Sequence, residues 1–253
     1  MAATSLSALV RHVDKLLDTA AIEDWAGAKN GLQVENDGRV TRIAAAVDGC
    51  LATVQAAVGQ GADLLVVHHG LFWGPTVPWT GRRRELLKLL LDNNLAVYSS
   101  HLPLDCHPRL GNNARLAAAL GFRKLTPFFF EKGRDIGLKT SSGLDRDQLV
   151  KQLEKAVNGP VTVLPGGPVR CRKIGIVTGG AGAELAKAAA EGVDTFITGE
   201  GPHHTHALAE DVGINVLYAG HYATETFGVK ALADHLAKKY RLPWTFIDRP
   251  TGL

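Results

Sequence analysis

Short apolar runs alternate with segments of helical periodicity along most of the chain. From residue 6 to residue 17, apolar side chains recur at helical spacing after Ser5, a residue type that caps helix starts. The apolar runs are typical of buried strands, and the clearest lie at residues 42–48, 63–67, 95–99, 173–178, 194–198, 215–219 and 244–247. Strands that alternate with helices of about ten residues predict an α/β fold with mainly parallel sheets.

The two ends of the chain repeat the same succession of strands. Residues 42–49 align with 173–180 and residues 61–69 with 192–200, both at an offset of 131. At an offset of 120, residues 97–101 align with 217–221, and Asp105 then matches Glu225. Such a repeat predicts two similar α/β lobes. We expect residues 1–125 to form the first lobe, residues 166–253 the second, and residues 126–165 a connecting segment.

Imidazole and carboxylate groups follow the repeated strands at their carboxyl ends, which is where open α/β sheets bind ligands. Donors of this kind, without thiolates, suit zinc, manganese, iron, nickel or magnesium. Six donors exceed the four of a structural zinc site, so we predict two divalent ions in a cleft between the lobes. The predicted ligands are His68, His69, His101, His221, Asp105 and Glu225, with one of the two carboxylates as the bridge.

Packing is the alternative role for each of these residues. A single histidine at a strand end is more often a hydrogen-bonded packing residue than a ligand. The adjacent pair His68 and His69, together with two matched His-x-x-x-carboxylate units, favours metal binding over that alternative. His101 has a second alternative to metal binding, because its ring could instead orient Asp105.

Composition and charge narrow the range of functions. Hydrophobic residues make up 45% of the chain and the formal net charge is +3, which is too weakly basic to require a nucleic-acid or membrane partner. No apolar run approaches the ~20 residues of a membrane span, and no secretory signal is recognisable. The three cysteines, Cys50, Cys106 and Cys171, form no CxxC pattern, so we expect a reduced, cytoplasmic setting.

Four further segments each allow a functional and a structural interpretation. His203, His204 and His206 could contact substrate or shuttle protons, or could form the exposed start of a helix. The glycines at 179, 180 and 182 could cradle a phosphate or form a tight turn. The arginines at 82–84 could touch nucleic acid or begin an exposed basic helix. The phenylalanines at 128–130 favour a core or a subunit interface over a base-stacking platform.

Five motifs in order resemble one known family. They are Asn30-Gly-Leu-Gln-Val34, His68-His-Gly-Leu-Phe-Trp73, Ser100-His-Leu-Pro-Leu-Asp105, Thr198-Gly-Glu200 and Gly220-His-Tyr-Ala-Thr-Glu225. Together they resemble the dinuclear-metal family of GTP cyclohydrolase 1 type 2 homologues, also called the NGG-interacting-factor-three-like family, from about residue 6 to residue 246. The chain lacks the long domain that some relatives carry between the halves, so it resembles the short form.

The resemblance carries expectations about site, assembly and activity. It implies that His68, His69, Asp105, His221 and Glu225 bind two metal ions, with His101 near them. It also implies two α/β lobes with the metal pair in the cleft, a toroidal hexamer, and hydrolytic opening of the purine ring of GTP. From the residues alone we predict only a metal-dependent hydrolase, in which an activated water attacks a carbon or phosphorus centre of a small-molecule substrate. That this substrate is a nucleotide is what the resemblance implies. Two alternatives stay open: a ring-shaped metal-binding regulator that binds nucleic acid or protein, and a metal chaperone.

Overall fold

Residues 3–75 and 77–252 are described by the computed structural model, and they confirm the predicted α/β fold. The described strands are β1 (Thr4–Ser5), β2 (Gly31–Val34), β3 (Arg39–Val40), β4 (Ile43–Asp48), β5 (Leu64–His69), β6 (Ala96–Ser99), β7 (Thr126–Glu131), β8 (Arg134–Ser141), β9 (Thr162–Pro165), β10 (Lys173–Ile176), β11 (Thr195–Thr198), β12 (Asn215–Tyr218) and β13 (Trp244–Phe246). The described helices are α1 (Leu6–Leu17), α2 (Leu51–Gly59), α3 (Gly81–Asp92), α4 (Leu102–Asp105), α5 (Asn112–Ala119), α6 (Arg146–Val157), α7 (Leu185–Ala190), α8 (Thr205–Val212) and α9 (His221–Tyr240), with a 3₁₀ turn at Ala181–Glu184.

Helix α1 shows how local sequence sets an element's bounds. The hydroxyl of Ser5 accepts a hydrogen bond from the backbone N–H of Ala8, which satisfies one of the donors left open at a helix start. The helix ends at Asp18, whose φ of 52° leaves the helical region. Its apolar stripe is buried, as the periodicity predicted, through Leu6, Leu9, Val13 and Leu17.

The first unit, Met1–His107 with Gly228–Arg249, is built on a five-stranded sheet of order β13-β4-β5-β6-β2. Its strands run parallel except for β2, which lies antiparallel at one edge. Asp48 pairs with His69 in the register of β4 and β5. The carboxyl ends of these strands therefore bring polar residues together at one edge of the sheet, above a core of buried side chains that includes Ala44, Leu65, Val67 and Val97.

The second unit, Pro108–Phe227 with Pro250–Leu253, is built on a six-stranded sheet of order β7-β8-β10-β11-β12-β9. Strands β10, β11 and β12 are parallel, and the flanking strands pair antiparallel with them. The segment predicted as a connector, residues 126–165, supplies β7, β8, α6 and β9, so it is part of this sheet and its cover. The hairpin turns at Lys132 and Gly133, which both have positive φ.

Phenylalanine side chains fill part of the second unit's core. Phe128 and Phe129 are both buried although they are neighbours in a strand, because Phe129 has a φ of 67° that interrupts the alternation of faces. The ring of Phe129 stacks on Phe196 with centroids 5.7 Å apart. Phe130 is 60% exposed. The core interpretation therefore fits the first two phenylalanines of the motif.

The compact units differ from the predicted lobes at two places. Residues Gly228–Arg249 belong to the first unit, because the second part of α9 and strand β13 return there and Trp244 pairs with Ile43. Helix α5 belongs to the second unit, because Leu116 packs with buried side chains of β10 and β12. No helix within residues 3–75 and 77–252 is both long enough and apolar enough to cross a membrane.

The sequence repeat has a structural counterpart in each unit. In the first, the carboxylate of Asp63 accepts hydrogen bonds from the backbone N–H groups of Thr41 and Arg42. In the second, the carboxylate of Asp194 accepts hydrogen bonds from the N–H groups of Arg172 and Lys173. Each aspartate thus ties the start of its own strand to the start of the preceding one, at positions that the repeat aligns.

Candidate metal-binding residues

Three imidazoles cluster at the carboxyl edge of the first sheet. His68 and His69 are the last residues of β5, which continues two residues beyond the predicted end, and His101 precedes α4. One ligand nitrogen from each ring lies within 4.8 Å of the other two. His68 is fully buried and His101 is 9% exposed, so the cluster lies largely out of solvent. The structure therefore brings together three of the predicted ligands, in a group able to hold a metal ion.

Each imidazole of this cluster has its Nδ1 atom held by an acceptor. His68 Nδ1 lies 2.9 Å from the carbonyl oxygen of Ser100. His69 Nδ1 lies 2.8 Å from Asp48 Oδ1, and His101 Nδ1 lies 2.8 Å from Asp24 Oδ1. Because a carbonyl or carboxylate oxygen can only accept, Nδ1 carries the proton and Nε2 keeps its lone pair. Metal-binding histidines are characteristically held in this way, so the donor set fits a divalent ion.

The loop before β2 fixes His101 and the start of α4. Asp24 accepts a second hydrogen bond from the N–H of Leu102, and the side chain of Asn30 donates to Asp24. Asn30 also accepts from the N–H of His101 at 2.7 Å. Burial raises the pKa of Asp24, but hydrogen bonds from His101, Asn30 and the N–H of Trp25 outweigh it and hold the pKa below its usual value. Asp24 is therefore ionised at neutral pH and acts as an acceptor.

Asp105 lies at the end of the short helix α4. Its Oδ2 atom is 3.4 Å from His68 Nε2, and its backbone N–H donates to the carbonyl of His101. This helix was not predicted. It places a carboxylate beside an imidazole nitrogen, as the sequence prediction of neighbouring ligands requires. His101 holds Asp105 through its backbone, while its ring is held by Asp24.

In the second unit, His221 and Glu225 form a further donor pair at the start of α9. The helix begins at His221, so His221 and Glu225 lie one turn apart on the same face. His221 Nε2 is 3.2 Å from Glu225 Oε1, and His221 Nδ1 is 2.8 Å from Glu200 Oε1. Burial lowers the pKa of His221, but the carboxylates of Glu225 and Glu200 raise it by more, so the pKa is about 9. A proton and a divalent cation compete for such a pair of donor atoms.

Glycines allow two loops of the second unit to approach the start of α9. A Cβ atom on Gly199 would lie 2.6 Å from the carbonyl oxygen of Gly179 and from His221 Cα. A Cβ atom on Gly179 would lie 2.4 Å from Glu225 Oε1, and Gly179 also has a φ of 76°. Close packing therefore accounts for glycine at 179, and the chain continues into the 3₁₀ turn at Ala181–Glu184.

Two other polar clusters were singled out in the sequence, the histidines at 203–206 and the arginines at 82–84. His203, His204 and His206 are exposed at the start of α8, and His206 lies 3.8 Å from Glu210. A substrate-binding role for His203 and His204 stays a prediction. Arg82 pairs with Glu85 at 3.2 Å, and the guanidinium of Arg83 lies over the Trp79 ring, so two arginines of the basic cluster have partners within the first unit.

Sequence reasoning did not identify the acceptors that hold the imidazoles. Asp48 could have been identified from the sequence, because it ends a predicted strand beside the one that carries His69. Glu200 could also have been identified, because the repeat aligns it with His69. Asp24 could not, because it lies in a loop whose path only the tertiary structure fixes.

A model of the Duf34/NIF3 (NGG1p interacting factor 3) family matches residues 4–251. The chain belongs to this family. Among its Duf34/NIF3 relatives, the GTP cyclohydrolase 1 type 2 homolog of Deinococcus radiodurans is 40% identical over 247 residues, covering 97% of this chain and 93% of the relative. The protein of the same name from Halobacterium salinarum is 43% identical, covering 93% of this chain and 96% of the relative.

The known structures agree with this assignment. The crystal structure of TTHA1606 from Thermus thermophilus superposes with a TM-score of 0.91 and 38% identity, and it covers 99% of this chain and 100% of that protein. The five-motif resemblance is therefore confirmed, and so is the α/β fold of this Duf34/NIF3 chain.

Proposed function

We propose that this Duf34/NIF3 protein is a metal-dependent hydrolase that binds two divalent ions per subunit. In the first unit the proposed ligands are His68, His69 and Asp105, with His101 beside them; in the second they are His221 and Glu225. One observation carries the proposal: each of the four histidines has its Nδ1 atom within 2.9 Å of an oxygen acceptor. That arrangement supports Nε2 as the ligand atom in the first unit, and in the second His221 would also have to lose a proton before it binds a cation.

The donor atoms support a set of candidate ions, and the sequence repeat supports their proposed number. Imidazole and carboxylate donors favour zinc, manganese, iron or nickel. The stoichiometry of two, and the expectation that both ligand groups serve one centre, rest on the repeated His-x-x-x-carboxylate units in the sequence. A divalent ion would supply an activated water and would stabilise negative charge that develops on the substrate.

The chain's own residues would prepare the site for hydrolysis. Asp24, Asp48 and Glu200 keep three imidazoles in one tautomer and one orientation, so little reorganisation is needed when the substrate reacts. The substrate class we propose is a small molecule attacked by water at a carbon or phosphorus centre. GTP is the first compound to test, because the curated relatives carry the name of a GTP cyclohydrolase homolog.

Elemental analysis and turnover assays test this proposal. Protein purified without chelator should contain about two divalent ions per subunit and should hydrolyse at least one compound from a panel of GTP, other nucleotides and phosphate esters. His69→Ala should lose metal and activity together, whereas His206→Ala, which removes an exposed histidine, should keep both. Near-zero metal in the wild-type protein, or activity that His69→Ala leaves unchanged, would overturn the proposal.

The setting and the assembly complete the proposal. We infer a cytoplasmic protein, since Cys50, Cys106 and Cys171 form no disulfide bond among the described residues. From the family resemblance we also propose a homohexameric toroid. Light scattering coupled to size-exclusion chromatography measures the assembly directly, and a monomer at micromolar concentration would refute the hexamer without bearing on the metal proposal.

A further inference from the structure

An aromatic pocket of about 200 Å³ lies in the first unit, outside the proposed ligand set. One wall is the loop that holds Gly27 and Lys29. The other is the loop after β5, which carries Phe72, Trp73 and Trp79, and Arg83 closes the pocket from the first turn of α3. Three aromatic side chains and two cationic ones therefore line a single small cavity.

Trp73 connects this pocket to the histidine cluster. Its ring meets the ring of His69 edge-on at 5.1 Å between centroids, and the ring of His101 at 4.9 Å. A molecule placed against Trp73 would thus lie one ring away from two of the imidazoles proposed to bind metal. The pocket is in position to hold one part of a substrate while another part reaches those imidazoles.

The exposure of these side chains favours ligand binding over packing. Phe72 is 39% exposed and Trp73 is 44% exposed, although burying such side chains normally stabilises a fold. Neighbouring apolar groups that remain exposed commonly mark a binding site. A flat ligand bound against these rings would bury their apolar surface, and that burial would stabilise the complex.

The walls of the pocket are held by specific contacts. A Cβ atom on Gly27 would lie 2.7 Å from the backbone nitrogen of Gly74, so the two loops touch backbone to backbone. The Trp79 ring contacts Phe72 edge-on at 5.9 Å, and the Arg83 guanidinium lies 4.9 Å from the centre of the Trp79 ring. Such contacts fix the aromatic faces before a ligand arrives, which lowers the entropic cost of binding.

The size and charge of the pocket define its ligand. Sites that enclose a whole drug-sized ligand typically measure about 300–1,000 Å³, so this pocket suits one ring system. Lys29 and Arg83 favour a negatively charged substituent on that ring or beside it. We propose that the pocket is the subsite for the flat aromatic ring of an anionic substrate, of the purine nucleotide class. This inference rests on the proposed function and names the substrate class of that same site.

Calorimetric titration of the full-length protein tests the subsite with defined probes. Guanosine monophosphate carries both the ring and the charge, whereas ribose 5-phosphate lacks the ring. Guanosine monophosphate should bind at least about 5-fold more tightly, because stacking of a base on an aromatic side chain contributes about 1–3 kcal/mol. Trp73→Leu should reduce its affinity by a similar factor, and Trp73→Phe should restore most of it. Phe130→Leu, which removes an exposed aromatic side chain outside this pocket, should bind as the wild type does.

Metal content measured on the same samples separates a stacking role from a structural one. The subsite proposal is overturned if ribose 5-phosphate binds as tightly as guanosine monophosphate, or if Trp73→Leu binds like the wild type. It is also overturned if Trp73→Leu weakens binding only in proportion to the metal that it loses. Normal binding by Trp79→Leu, which alters the pocket wall at Phe72 and Arg83, would likewise count against the subsite. If chelator-treated protein still binds guanosine monophosphate and Trp73→Leu abolishes that binding, the subsite stands even where the hydrolase proposal fails.

Discussion

His101 Nδ1 lies 2.8 Å from Asp24 Oδ1, and this contact determines which nitrogen of the ring can bind metal. The carboxylate is ionised and accepts the Nδ1 proton, so Nε2 is left with its lone pair. His69 and His221 likewise have Nδ1 against a carboxylate oxygen, of Asp48 and Glu200 respectively. A carboxylate behind an imidazole is thus a shared property of both units.

Asp24→Asn should weaken metal binding without unfolding the protein. The amide keeps the shape of the carboxylate but loses its charge, so His101 becomes a poorer ligand and its tautomer is less firmly fixed. Loss of such a supporting group typically reduces metal affinity about 10- to 100-fold. Competition with a chromophoric chelator measures the effect. Asp18→Asn is the matched control, because Asp18 lies outside the hydrogen bonds described for the histidines, and equal affinities for the two variants would contradict the assignment.

Gly199→Ala should destabilise the second unit and displace His221. The added methyl group would meet two backbone atoms that cannot rotate away, Gly179 O and His221 Cα, both at 2.6 Å. Overpacking of this kind costs about 1–3 kcal/mol. Gly143→Ala is the control, since a Cβ atom there has no neighbour within 4 Å among the described residues. Urea titration gives both free energies of unfolding, and a smaller loss in Gly199→Ala than in Gly143→Ala would refute the packing argument.

Asp63→Ala and Asp194→Ala should each lower the free energy of unfolding by about 1–3 kcal/mol, because each change leaves backbone N–H groups without their acceptor. The repeat predicts similar losses for the two variants. Asp92→Ala, which removes an exposed carboxylate paired with Lys88, should change the free energy by less than about 0.5 kcal/mol. Thermal unfolding followed by circular dichroism tests all three, and a neutral result for either repeat aspartate would show that its contacts are dispensable.

Acidification should destabilise the protein through His12. Its Nε2 atom lies 2.9 Å from His235 Nε2, so at least one of the two rings must be neutral to accept. Burial, with Lys239 and His235 nearby, lowers the pKa of His12 below 6.5. Well above pH 6.5 the residue is neutral in both the folded and the unfolded state and contributes no pH dependence. As the pH falls through about 6.5, the unfolded chain takes up the proton first, so the free energy of unfolding falls with the pH.

The control for this pH dependence is another histidine substitution. His12→Gln should flatten the decline in the free energy of unfolding between about pH 7 and pH 5. His206→Gln, at an exposed site, should leave the slope as it is. A His12→Gln protein with the wild-type slope would assign the acid sensitivity to other groups.

Local pattern predicted most of the elements, because each depends on nearby residues. Helix α1 begins and ends at the predicted residues. The start of α9 did not follow from local pattern, since the residue before His221 is a glycine without a capping side chain and glycines of two other loops define its surroundings. The hairpin of β7 and β8 was also missed, because the positive φ of Phe129 and Lys132 hides its alternation.

The candidate ligands were predictable because strand ends collect them, whereas their supports were not. His68, His69 and His101 were chosen from sequence and lie within one cluster. Asp24 could not be chosen, because 77 residues separate it from the histidine that it holds. The Asp63 and Asp194 contacts show that the repeat extended further than the ligands from which it was first recognised.

Residues 69 and 200 occupy matching positions in the repeat but act on opposite sides of a hydrogen bond. His69 presents an imidazole whose Nδ1 is held by a carboxylate, while Glu200 is the carboxylate that holds an imidazole. An ancestral duplication would explain this exchange: the strand inherits the point at which a side chain emerges, and later substitution decides whether that side chain donates or accepts. One half of such a molecule can then change its chemistry while the other preserves it, so a difference between the two halves can give rise to a new specificity.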